Sequence, residues 1–178
     1  MSDTPTFSSP TQRGLLSPRR LARMAVLIAL SAVGAVVKIP SPTGTVALDS
    51  APGFLAAVVF SPVEGAIVAA LGHLLTATTA GFTLGALHLV VAVEMAVFAW
   101  LFGLLAQRVN VAVAGVVAVL LNGLVAPLMM IPVAGFGGYV GMILPLLVGS
   151  AINVVVAVLA GYALSAAGLA DRPIFQRR

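Results

Sequence analysis

The sequence predicts an all-α integral membrane protein, a compact bundle of six transmembrane helices with both termini cytoplasmic. Three observations predict it. The first is composition: of 178 residues, 61% are hydrophobic and only 8% charged, against about 25% charged in soluble domains. The second is apolar runs near the roughly 20 residues that a bilayer requires, separated by short Gly-, Pro- or Asn-containing breaks. The third is the placing of the basic residues. A chain of this length holds at most about six to eight spans, with no room for a soluble ATPase or a second domain. Cysteine is absent, which excludes disulfides and thiolate metal sites. The net charge of +4 comes mostly from the two ends. That fits orientation in a membrane rather than nucleic-acid binding.

In chain order, residues 1–19 read as a disordered cytoplasmic tail rich in Ser, Thr and Pro. Arg19, Arg20 and Arg23 introduce a first helix over Leu21–Val37, read as a retained span rather than a cleaved leader. Ala22, Ala25, Ala29 and Ala32 share one face of it. Such a stripe fits close packing within the protein, or docking of a separate subunit. The longest polar break follows, Lys38 to Gly53, with three prolines, two glycines and four hydroxyl side chains. A second helix, Ala51–Phe60, is short for a span and is expected to be extended, tilted or partly re-entrant. Ser61-Pro62 turns the chain into a third helix, Val63–Thr79, whose Gly65, Ala69, Gly72, Thr76 and Thr79 form a second close-packing stripe. Glu64 suits that helix's N-terminus. After an outer turn at 80–85, a fourth helix over Ala86–Leu105 carries His88 and Glu94. A fifth covers Val111–Met130 with Asn122 near its middle. A Gly/Pro-rich turn over Ile131–Gly138 precedes a sixth, Tyr139–Ala167, with Asn153 inside it. Six spans make 20–168 the membrane domain and 169–178 a basic cytoplasmic tail.

With six spans, Arg13, Arg19, Arg20, Arg23, Arg108, Arg172, Arg177 and Arg178 fall on one side and only Lys38 on the other. The positive-inside rule makes the arginine side cytoplasmic, so the Lys38–Gly53 loop lies outside. Buried ionisable groups are costly at mid-bilayer, about 2.5–3.5 kcal/mol each on insertion scales. Glu94 near the midplane is therefore either a ligand or gating contact or a structural hydrogen-bond acceptor, with His73 and Asn122 as candidate partners. His88, one turn in from the outside, is either a ligand contact or a half-solvated interfacial residue. His73, Asn122 and Asn153 each fit interhelical bonding or a pocket wall. Phe82, Phe136 and Tyr139 sit on the outer side, for interfacial anchoring or for stacking on a flat ligand. No Walker loop, HExxH pattern or Ser-His-Asp order is present. No inverted repeat stands out, which disfavours a self-contained transporter.

Ala25-x-x-x-Ala29 on the first helix, Lys38-Ile39-Pro40-Ser41-Pro42-Thr43-Gly44, Ala47 to Gly53, Ala69 to Thr76 and Ala80-Gly81-Phe82-x-Leu84-Gly85 together carry a resemblance. The chain resembles the substrate-binding S components of energy-coupling factor (ECF) transporters over about 20–167. It is most similar to the branch associated with α-ribazole, a cobalamin precursor. The resemblance implies a non-enzymatic vitamin-binding subunit of a bacterial cell membrane, with no cofactor of its own. It implies docking through Ala25 and Ala29 onto a transmembrane coupling subunit driven by two cytosolic ATPases that use ATP. It also implies a solute site roofed by the first outer loop, for which Lys38, Asp49, His88, Glu94, Asn122 and Tyr139 are the candidates. A small membrane enzyme acting through Glu94 and the histidines, and a structural subunit of another membrane complex, are the competing readings.

Overall fold

The computed structural model describes residues 17–42, 44 and 46–172. Most of both expected tails, including Arg13, Arg177 and Arg178, and Thr43 and Thr45 of the loop lie outside the described residues. The helices are α1 (Pro18–Gly34), α2 (Ala51–Val59), α3 (Pro62–Thr79), α4 (Leu87–Arg108), α5 (Val111–Leu120) and α6 (Ile131–Ala166). Between α5 and α6 lie a π-helical turn, Leu121–Val125, and a 3₁₀ turn, Ala126–Met130. Among the described residues there is no strand, only an isolated bridge between Lys38 and Ala47 in the loop.

Local chemistry sets the helix starts. Pro18 and Pro62 occupy first-turn positions where their missing N–H costs nothing. Ser61 Oγ accepts from the Glu64 amide at 3.2 Å, and Asn110 Oδ1 accepts from the Val113 amide at 2.8 Å. The helix over 18–19 shortens the expected tail. The predicted end of the first helix at Val37 is also too late. A Cβ on Gly34 would collide with the carbonyl of Leu48, so the returning loop packs directly on the α1 backbone and the helix stops there.

Opposed glycines give the helix directions. Gly53 faces Ala69 and Gly65 faces Ala57, so α2 and α3 run antiparallel about the Ser61-Pro62 turn. Glu64 meets Arg23 and Gly72 meets Ser31, so α1 and α3 run parallel. The predicted stripe on the third helix is thus internal packing, with Gly65, Ala69, Gly72 and Thr76 buried and Thr79 exposed at its end. All nine residues of α2 are buried. At about 1.5 Å per residue α2 is about 14 Å long, half of a bilayer core of about 30 Å. The second helix is therefore a central pillar that begins mid-bundle and does not span by itself.

Among the described residues, two stretches are long and apolar enough to cross a bilayer, Leu87–Arg108 and Val111–Ala166, the latter 56 residues. That second stretch is not one rod. Gly115 faces Val154 and Gly123 faces Leu147, an antiparallel pairing whose midpoint falls at Gly135. Gly135 has φ 65° and ψ −172°, a conformation that glycine adopts without a Cβ penalty. The expected turn over Ile131–Gly138 is thus a reversal centred on one residue, and helix resumes well before Tyr139. The fifth helix is also irregular. Pro127 has no N–H to offer the Gly123 carbonyl, and the ladder slips into the π turn around Asn122.

Most of the charged residues, Lys38, Asp49 and Glu94 excepted, gather at one end. Arg20 Nε donates to Glu64 Oε1 at 2.8 Å and Arg23 Nε to Glu64 Oε2 at 2.6 Å. Arg23 also pairs with Asp171 and lies over the Phe60 ring. Arg172 donates to Gln107, and the amides of Asp171 and Arg172 both donate to the Val59 carbonyl. The start of the predicted basic tail is accordingly tied down against α2 rather than free.

Candidate functional site

At the opposite end, the loop over 35–50 folds inward. Lys38 and Ala47 bridge its two arms, and the Ile39 amide donates to the Val46 carbonyl at 2.9 Å. Pro42 and Gly44 are exposed and the returning arm is buried: Val46, Ala47 and Asp49 are covered. Asn153 on α6 holds that arm. Its Oδ1 accepts from the amides of Ser50 at 3.1 Å and Ala51 at 2.8 Å. Its Nδ2 donates to the carbonyls of Ala47 at 3.0 Å and Gly149 at 2.9 Å. Asn153 therefore both caps α2 and pins the loop to α6. Of the two readings open for it, all four bonds go to backbone and serve structure.

Beneath the pinned arm is a cavity of about 80 Å³. One water needs about 10–15 Å³ measured this way, so it holds several. Its polar lining is Asp49, Ser50, His73, Glu94, Asn122 and Ser150, with Asn153 beside them. Its apolar lining includes four methionines, Met95, Met129, Met130 and Met142. Unbranched thioether side chains re-pack readily around different shapes. The π turn places Asn122 in this wall, and the mid-bundle start of α2 places Asp49 and Ser50 in it.

Three of the six candidate binding residues meet here: Asp49, Glu94 and Asn122. The other three do not line the cavity. Lys38 is exposed on the loop. Tyr139 stacks beside Phe136, ring centroids 5.7 Å apart, next to the Gly135 reversal. His88 is fully buried between α3 and α4, not half-solvated at an interface. It acts through His73. The Leu84 amide donates to His88 Nε2 at 3.4 Å, so the His88 proton is assigned to Nδ1, which lies 3.2 Å from His73 Nε2. His73 is thereby left protonated on Nδ1. The Phe82 ring packs edge-on against His88 at 5.4 Å, on a backbone with φ 49°. This locks the outer turn onto the histidine pair.

Two oxygens in the cavity wall stand out. Glu94 Oε2 and Ser150 Oγ are buried with no hydrogen-bond partner among the described residues. Buried polar atoms are nearly always paired, so these two set the cavity wall apart from the rest of the bundle interior. Ser50, His73, Ser150 and Asn153 are the polar lining residues that the sequence reading left out of its site. Ser150 carried no signal beyond a hydroxyl among apolar neighbours. Asp49 belongs to the loop, and burial pushes its carboxyl up to about 6. Hydrogen bonds from Thr76 and Ser50, and the charge of Lys38, oppose that rise. No group of three or more metal-ligating His, Asp or Glu side chains occurs among the described residues.

Ala25 and Ala29 are exposed on the face of α1 turned away from the bundle, whereas Met24, Leu27 and Ser31 are buried. The alanine stripe therefore does not pack inside this chain.

Comparison with known proteins returns one family. No curated protein and no solved structure matches the chain. The family described as ECF-type riboflavin transporter, S component, matches residues 15–170. That match spans nearly all of the chain, including every cavity residue, and the chain belongs to this family of substrate-binding subunits of vitamin importers.

Proposed function

We propose that the chain captures a vitamin-like solute from outside the cell in the cavity under the 35–50 loop, and hands it to an ATP-driven membrane partner. The observation that carries this reading is the pair of unpartnered buried oxygens, Glu94 Oε2 and Ser150 Oγ, in a methionine-walled cavity. The arginine cluster at the far end of the bundle supports a cytoplasmic assignment for that end, which leaves the cavity end and its loop facing out. The bundle crosses a bacterial cell membrane with both termini inside. The exposed Ala25 and Ala29 face docks on a transmembrane coupling subunit, whose two cytosolic ATPases supply the energy. The chain itself performs no catalysis and holds no cofactor.

α-Ribazole, to which the loop motifs point, and riboflavin, named in the matched family, are the two leading solutes. Both join a flat heterocycle to a hydroxylated chain or sugar. The heterocycle fits against Met95, Met129, Met130 and Met142, while hydroxyls pair with Asp49, Glu94 and Ser150. A cavity of about 80 Å³ is below the roughly 300–1,000 Å³ of most ligand pockets, so binding requires the methionines and the loop arm to move apart.

The test is mass spectrometry of small molecules retained by the purified protein, followed by a thermal-shift panel of vitamins and their precursors. A saturable rise in Tm with one of them is the expected result. If none is retained and none shifts Tm, the reading fails. Replacing Ala25 and Ala29 with Leu should abolish uptake and leave solute affinity within twofold. Lost affinity, or surviving uptake, would remove the docking assignment.

A further inference from the structure

We infer that the site selects a solute whose buried end offers hydrogen-bond donors and carries no anionic group, so that a vitamin is accepted and its phosphate ester refused. This rests on the solute-binding reading above and adds the charge class. The first reason is the absence of any cation from the lining, which holds Asp49 and Glu94 but neither Lys nor Arg. Arg20, Arg23 and Arg172 are at the other end of the bundle, engaged with Glu64, Asp171 and Gln107. Lys38 is exposed on the loop.

The second reason is the α2 N-terminus, the one backbone feature at the cavity suited to anions. Its leading amides are already engaged. Asn153 Oδ1 takes the amides of Ser50 and Ala51, and Pro52 has none to give. The third reason is what remains unpaired. Glu94 Oε2 lacks a donor, and Ser150, only 2% exposed, has a hydroxyl with no partner. An incoming hydroxyl or amine satisfies both. An incoming phosphate adds acceptor oxygens where acceptors are already in excess, and buries charge against two carboxyl groups with no cation in the lining to neutralise it; Lys38, outside the lining, acts on Asp49.

The experiment is isothermal titration of the full chain in detergent or nanodiscs. Its probes are riboflavin, α-ribazole and the 5′-phosphate ester of each, or whichever vitamin the panel identifies with its own ester. The expected result is that the parent binds and the ester binds at least tenfold more weakly. Asp49→Asn combined with Glu94→Gln should narrow that ratio to less than threefold. An ester that binds wild type as tightly as its parent overturns the charge class while leaving solute binding intact. A ratio unchanged in the double variant overturns the assignment of the discrimination to these two carboxyl groups. Absence of binding by every parent compound overturns the solute-binding reading itself. The wild-type comparison decides the charge class even if the double variant does not fold.

Discussion

Asn153→Ala tests how the loop is held over the cavity. The substitution removes four hydrogen bonds. The Gly149 carbonyl keeps its place in the α6 ladder, so three backbone groups are orphaned: the amides of Ser50 and Ala51 and the carbonyl of Ala47. A net hydrogen bond contributes about 1 kcal/mol, and an unsatisfied buried group costs about 1–3 kcal/mol. The cavity lies alongside and admits water, which favours the lower bound, so the expected loss is about 3 kcal/mol. For a chain of this size that lowers Tm by roughly 6–12 °C. The assay is denaturation in detergent, with hydrogen exchange read at the Ser50 and Ala51 amides. Exchange there should accelerate, and solute affinity should fall as the loop loosens. Asn153→Asp keeps the acceptor for the two amides but sets a carboxylate against the Ala47 carbonyl, and should lie between Ala and wild type. A stability change under about 0.5 kcal/mol with unaltered exchange at both amides would refute the pinning argument.

Two further outcomes follow from the charges. Burial holds the folded Asp49 pKa at about 6, above its unfolded value near 3.9. That stability is fully present below about pH 4 and is lost as pH rises through about 6, a difference of about 3 kcal/mol by pH 8 in the solute-free protein. Tm should therefore fall between pH 5 and 8 in wild type and much less in Asp49→Asn; superimposable pH profiles would remove Asp49 as the cause. At the other end, Glu64 is fully buried between Arg20 and Arg23. Glu64→Ala leaves both guanidinium groups without their shared carboxylate and should cost about 3 kcal/mol by denaturation; a loss below about 0.5 kcal/mol would mean that solvent replaces the cluster.

Composition and charge asymmetry were enough to identify a membrane bundle, because lipid as solvent demands long apolar helices and leaves few alternatives. Pro62 and the Gly65 stripe marked a helix start and a packing face for local reasons, and these are read directly from neighbouring residues. The sequence also singled out the Lys38–Gly53 break, the alanine stripe, Asp49, Glu94 and Asn122. It gave no way to separate Asp49 from Lys38, eleven residues apart on the same loop. One arm turns inward and the other stays in solvent, and that difference arises from Gly34 admitting Leu48 and Asn153 gripping Ala47 and Ala51.

Tertiary structure alone decided the rest. His88 became a buried support for His73 because α3 and α4 cross at that level, a register that no single helix encodes. Pro127 and Gly135 could be flagged as breaks, yet whether each would bend, slip or reverse the chain depended on what packed opposite. Ser150 joined the site because α6 faces the start of α2, a nine-residue helix that begins mid-bundle. The sequence by itself pointed to lipid as the solvent and singled out which polar residues were costly to bury. The three-dimensional packing determined which of those costly residues were paired off and which were left open, because hydrogen-bond satisfaction depends on residues far apart along the chain, as Glu64 is from Arg23 and Asn153 from Ala47.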